Sequence, residues 1–180
     1  MDALFPGKKR FTVKNEKGEV TAQWDKPALD WKANVVCGRC NSTWMSKIEN
    51  DHAKPALTDL ILDKLDIPIA ESRANSIALF AFKSAVVFNH LRPVADPFFP
   101  QSARHNFREV RAIPGNVRMW MAGFLPVGKG EVQTVYHNGA LPNGNRIRLY
   151  VCTYAVGHFV FQVLAARQGG FTPFAGGGRV

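Results

Sequence analysis

Cys37-Gly38-Arg39-Cys40-Asn41-Ser42-Thr43-Trp44-Met45-Ser46-Lys47-Ile48-Glu49 decides how this chain is read. Two cysteines separated by two residues present both sulfurs to one ion. The polar run behind them opens a helix with Trp44, Met45 and Ile48 on one face. A structural zinc ion takes four ligands in a tetrahedron, so Cys37 and Cys40 supply half of a site. Cys152, the remaining cysteine, stands far away in an apolar strand pattern between Val151 and Thr153 and reads as structural.

Upstream, Phe11 and Val13, then Val20, Ala22 and Trp24, alternate with polar residues around Asn15-Glu16-Lys17-Gly18, a β-hairpin signature. Residues 31–36 read as a short strand leading into the cysteine turn. Downstream, Lys54-Pro55 predicts the end of the first helix, because the residue before proline avoids the α region. A second helix then carries Leu57, Leu60, Ile61 and Leu65. Asp66-Ile67-Pro68-Ile69 is the candidate boundary, dividing the chain into residues 1–66, residues 67–168 and a flexible Gly-rich tail over 169–180.

The second part begins with a helix capped by Ser72 and running to about His90, with Ile77, Phe80, Ala81, Ser84, Val87 and Phe88 on its buried stripe. Asp96-Pro97-Phe98-Phe99-Pro100 breaks the chain, and a basic helix follows over 101–111. Four strands are predicted over 117–124, 131–137, 146–156 and 158–165. Lys129-Gly130 and Asn143-Gly144 make turns, and Gly157 marks a bulge or tight bend. The fold class is therefore α+β: an N-terminal β-hairpin with a Cys-x-x-Cys knuckle and helix, then helices packed on an antiparallel sheet.

The net charge of +9 is uneven. Residues 1–66 carry eleven Lys/Arg against ten Asp/Glu, whereas residues 67–180 carry twelve against four. Arginine dominates the second part, and its planar fork suits phosphate oxygens. Such a surface attracts nucleic acid or another polyanion. No apolar run reaches the roughly 20 residues of a membrane span, so no membrane role is expected. The odd cysteine count and Cys-x-x-Cys spacing argue against a disulfide framework and for the cytoplasm.

The stretch from Val36 to Glu49 resembles the C-terminal half of HNH-type endonuclease modules, which are treble-clef zinc units. It is most similar to a group of bacterial and phage proteins with a Cys-x-x-Cys-Asn-x-x-Trp-Met-Ser-x-x-Glu run, and the match covers about residues 31–65. The resemblance implies structural zinc at Cys37 and Cys40, and a catalytic divalent metal, Mg or Mn, at a position matched by Asn41. It also implies an upstream histidine base. All five histidines (His52, His90, His105, His137, His158) lie downstream of Cys40, and no Cys-x-x-Cys precedes residue 37. The site is thus incomplete as a nuclease. Three explanations stand: a truncated product, one zinc shared by two chains in a homodimer, or a knuckle that has lost its metal and survives as a turn.

Each candidate has a plainer alternative. Asn41 is a metal ligand or the N-cap of its helix. Cys37 and Cys40 are metal ligands, or redox-active thiols at a helix start. Glu49 and Asp51 bind a cation or are merely solvated, and His52 reads as a polar helix residue. Arg104, Arg108 and Arg111, spaced i, i+4 and i+7, form a phosphate-tracking stripe or an ordinary solvated face. Arg146 and Arg148 share one side of a strand, extending that surface with Lys47 or pairing with Glu109 and Glu131. Trp44, Met45, Phe98, Phe99, Trp120, Phe159 and Phe161 read as core. The functional expectation is a nucleic-acid-directed, HNH-like protein, with a non-enzymatic protein-interaction module as the alternative.

Overall fold

The computed structural model describes residues 9–14, 19–26, 36–62, 69–90, 97–123 and 131–167. The strand expected before Cys37, Leu65, the boundary near 66, the Lys129-Gly130 turn and the tail beyond 168 lie outside those residues. What is described is a mixture of helices and antiparallel sheet.

Four consecutive helical stretches, Gly38–Cys40, Asn41–Met45, Ile48–Ala53 and Lys54–Ile61, join into one rod, here α1. The junction residues Asn41, Ser46, Lys47, Ala53 and Lys54 are all right-handed helical. Asn41–Met45 and Ile48–Ala53 are wide π-type turns: Ser46 N–H donates to the Asn41 carbonyl and Lys54 N–H to that of Glu49.

The helix therefore does not stop at Lys54-Pro55, as the sequence suggested. Proline lacks an N–H and its ring presses on the carbonyl four residues back. A wide turn just before Pro55 removes both conflicts, and Pro55 sits at the start of the regular final stretch. The Ser42 and Thr43 hydroxyls donate to the Gly38 and Arg39 carbonyls at 2.9 and 2.6 Å, which loosens the first turns further.

Helix α2 spans Glu71–Asn89 and α3 spans Gln101–Val110. No side chain caps α2: it starts after Ala70, and Ser72 sits in its first turn, where its carbonyl accepts from the Ser76 hydroxyl. Buried residues on α2 include Ile77, Ala81, Phe82, Lys83, Ser84, Ala85 and Asn89, a wider set than one stripe. The cause is two-sided packing. One side meets α1, and the other meets the sheet, where Tyr150 Oη donates to the Ala85 carbonyl at 2.9 Å. Phe82 meets Phe99 and Phe107 edge-on. Asn89, fully buried, donates to Tyr136 Oη at 2.7 Å and accepts from Phe99 N–H at 3.2 Å, so its polar groups are satisfied.

Strands β1 (Lys9–Lys14) and β2 (Val20–Lys26) pair antiparallel, as expected of the hairpin whose turn at residues 15–18 lies outside the described residues, and β1 lies against β4. Strands β3 (Val117–Gly123), β4 (Glu131–Ala140), β5 (Arg146–Val156) and β6 (Phe159–Arg167) form an antiparallel sheet in the order β3-β6-β5-β4. Gly157, with φ +55°, and His158 make a two-residue turn between β5 and β6. His158 N–H donates to the Ile61 carbonyl at 3.2 Å, docking this turn on the end of α1.

One cluster of buried side chains runs from Ile48 on α1 through α2 and α3 to Ala165 on β6. Phe98, Phe99, Phe159 and Phe161 belong to it as expected. Trp120 does not: it is 49% exposed, opposite the exposed Gln162. No helix of the described residues is long and apolar enough to cross a membrane.

Candidate functional site

The start of α1 is built around Cys37. Its backbone is extended (φ −65°, ψ 149°), and its Sγ accepts the Cys40 N–H at 3.3 Å. Cys37 therefore caps the helix, and Asn41, for which capping was one reading, lies exposed in the first turn with its N–H on the Cys37 carbonyl at 3.0 Å. Cys37 is exposed and Cys40 half-buried. The hydrogen bonds from Cys40 hold the Cys37 thiol below its ordinary pKa, and the positive charge of Arg108 adds to this.

Across from this turn stand α2 and α3. Cys37, Cys40 and Trp44 of α1, Lys83 and His90 of α2 or its end, and Arg104, His105 and Arg108 of α3 line one cleft of about 190 Å³. The sequence separations are large, so only packing brings these groups together. Phe107 anchors the arrangement: it is buried and meets Trp44 and Phe82 edge-on, with Arg104 and Arg108 beside it in the cleft wall.

Arg111 departs from the expected helical stripe. It is the C-cap of α3 in the left-handed region, φ 57°, and its N–H returns to the Phe107 carbonyl at 3.0 Å. Its guanidinium lies 4.2 Å from the centre of the Trp44 ring, a cation–π contact that ties the end of α3 to α1.

Lys83 is buried in the wall and ion-paired with Glu49, so Glu49 is not merely a solvated carboxylate. Burial lowers the Lys83 pKa, against the pull of Glu49. His90 is shifted down as well, mainly by burial and then by the charge of Arg104, while a backbone hydrogen bond at Phe99 opposes the shift. His90 Nε2, Trp44 Nε1 and Arg104 Nε are buried nitrogens with no hydrogen-bond partner among the described residues. Lys83 and His90 were not singled out as site residues from sequence. The available signal was a lone cation in the apolar run from Ile77 to Phe88.

The other candidates lie elsewhere. Lys47 is exposed on α1 and does not line the cleft. Arg146 and Arg148 line a separate hollow of about 600 Å³ with Asn138, Gly139 and Arg167, beside the β4–β5 turn. In that ladder Glu131 stands opposite Ala155 and Arg146 opposite Ala140, at opposite ends of the strand pair. Glu109 pairs with its neighbour Arg108 at 3.5 Å.

Cys37 and Cys40 offer two sulfurs to a metal. Among the described residues no group of three or more His, Cys, Asp or Glu is placed to hold an ion. Two donors do not make a closed tetrahedral zinc site within one chain. No such group adjoins Asn41 among the described residues either.

No family model matches this chain, and no curated protein or solved structure is significantly similar to it.

Proposed function

We propose that this chain is a nucleic-acid-binding protein of HNH-like, treble-clef descent that receives backbone phosphate at the cleft between α1 and α3. One observation carries the reading: Arg104, His105 and Arg108 face the N-terminal turn of α1 across a single cleft that also holds Trp44. Arginine forks and a helix N-terminus both favour a phosphate oxygen. The excess positive charge after residue 66 favours the same partner. The proposal concerns binding; among the described residues no catalytic-metal group accompanies Asn41.

A second reading, a protein-interaction module, is favoured by Trp120, which is 49% exposed on the terminal strand β3 of the described sheet. A salt series of binding titrations with labelled single- and double-stranded DNA and RNA separates the two. Under the first reading, Arg104→Gln with Arg108→Gln weakens binding and lowers the slope of log K against log salt by about 2. Unchanged affinity and slope in that double variant would remove the cleft from the interface.

A further inference from the structure

We propose that Cys37 and Cys40 form a reversible dithiol–disulfide couple at the mouth of this cleft, with a low-molecular-weight disulfide as the oxidant. This goes beyond nucleic-acid binding and does not depend on it. The geometry comes first. Cys37 Sγ already rests 3.3 Å from the backbone nitrogen of Cys40, the residue that carries the second sulfur. Residues i and i+3 of a helical first turn hold their Cα atoms about 5 Å apart, inside the range that a disulfide spans.

Exposure divides the roles. Cys37 is exposed and attacks; Cys40 is half-buried and resolves. Cys37 Sγ accepts the Cys40 N–H at the start of α1, the Cys-x-x-Cys placement in which thiols become reactive. Cys152 does not compete, because it is fully buried between sheet and helix. Among the described residues no third metal-ligating side chain joins the pair.

The exchange balances as follows. The Cys37 thiolate attacks one sulfur of the oxidant, breaks its S–S bond, expels one thiolate and leaves a mixed disulfide. Cys40, giving up its proton, attacks Cys37 Sγ and expels the second thiolate. Two electrons pass from the protein to the oxidant, and the two protons end on the two released thiols.

The test uses the full chain, stripped with a chelator, in a series of reduced and oxidised glutathione buffers. Each sample is acid-quenched, alkylated and weighed intact. The expected result is a species lighter by two hydrogens, monomeric on a non-reducing gel, in which Cys37 and Cys40 lose alkylation together. Cys40→Ser should instead accumulate glutathione on Cys37. Thiols that stay reduced throughout, disulfides only between chains, or wild-type protein trapped only as a glutathione adduct would each overturn the proposal. So would zinc that reloads stoichiometrically and blocks both sulfurs under the oxidising buffers.

Discussion

Lys83 Nζ, buried on α2, donates to Glu49 Oε1 on α1. This ion pair clamps the two helices beneath the cleft, and it is lopsided: the Lys83 side chain is 6% exposed and that of Glu49 42%. Lys83 also sits 4.8 Å from the Phe80 ring centre.

That asymmetry sets the order of the variants. Glu49→Gln leaves an uncompensated buried ammonium and should cost about 2–4 kcal/mol. Lys83→Met leaves only a half-hydrated carboxylate and should cost less, about 1 kcal/mol. The double variant should recover most of the Glu49→Gln loss. Urea unfolding monitored by circular dichroism measures all three. Equal losses in the two single variants would contradict the burial argument.

At Arg111 two effects oppose each other. The contact with Trp44 contributes about 0.5–2 kcal/mol, while a non-glycine residue in the left-handed region is unfavourable by about 1 kcal/mol. Arg111→Ala removes the contact and keeps the strain; Arg111→Gly removes both. The glycine variant should therefore be the more stable of the two by about 1 kcal/mol, and both should change the fluorescence contributed by Trp44. A glycine variant no more stable than the alanine one would mean that the cap carries no strain.

His90 supplies a pH dependence. Its folded pKa lies below the ordinary value of 6.5 because of burial first and Arg104 second. The unfolded chain therefore binds more protons in mildly acidic solution, so stability should rise with pH from about 5 to about 7. His90→Gln should flatten that part of the profile relative to the wild type. Thermal melts across the range test this, and an unchanged slope would place the titration elsewhere.

The three thiols should separate by environment. Under native conditions Cys37 and Cys40 should react with a thiol reagent, Cys37 faster. Cys152, whose pKa burial pushes up to about 12, should react only after unfolding. Elemental analysis of the purified chain should separate the metal readings: one zinc per two chains would establish a site shared across a dimer through Cys37 and Cys40, and none would leave a knuckle without metal.

The strands were read closely because their signals are local: alternation over a few residues, and glycines where the backbone must turn. Arg146–Val156 was placed to the residue, and Gly157 was marked as the bend that it makes. Pro55 misled because its rule concerns an ordinary α-helix, whereas α1 widens ahead of it into π turns. Ser72 and Asn41 misled for a related reason. A polar residue suited to capping says nothing about where the chain enters the helix, and here Ala70 and Cys37 hold those places.

Cys37 and Cys40 at a helix start, the basic run of Arg104 and Arg108, and the α+β order of elements were all determined by the sequence alone, since each depends on neighbours within a few positions. Their convergence was not. That Arg108 lies opposite Cys37, that Arg111 turns back onto Trp44, and that Lys83 is buried beside Glu49 were decided only by the tertiary structure. Those relationships join residues tens of positions apart, and they follow from how α2, covered on two sides, seats α1 and the Phe107 face of α3 on one core.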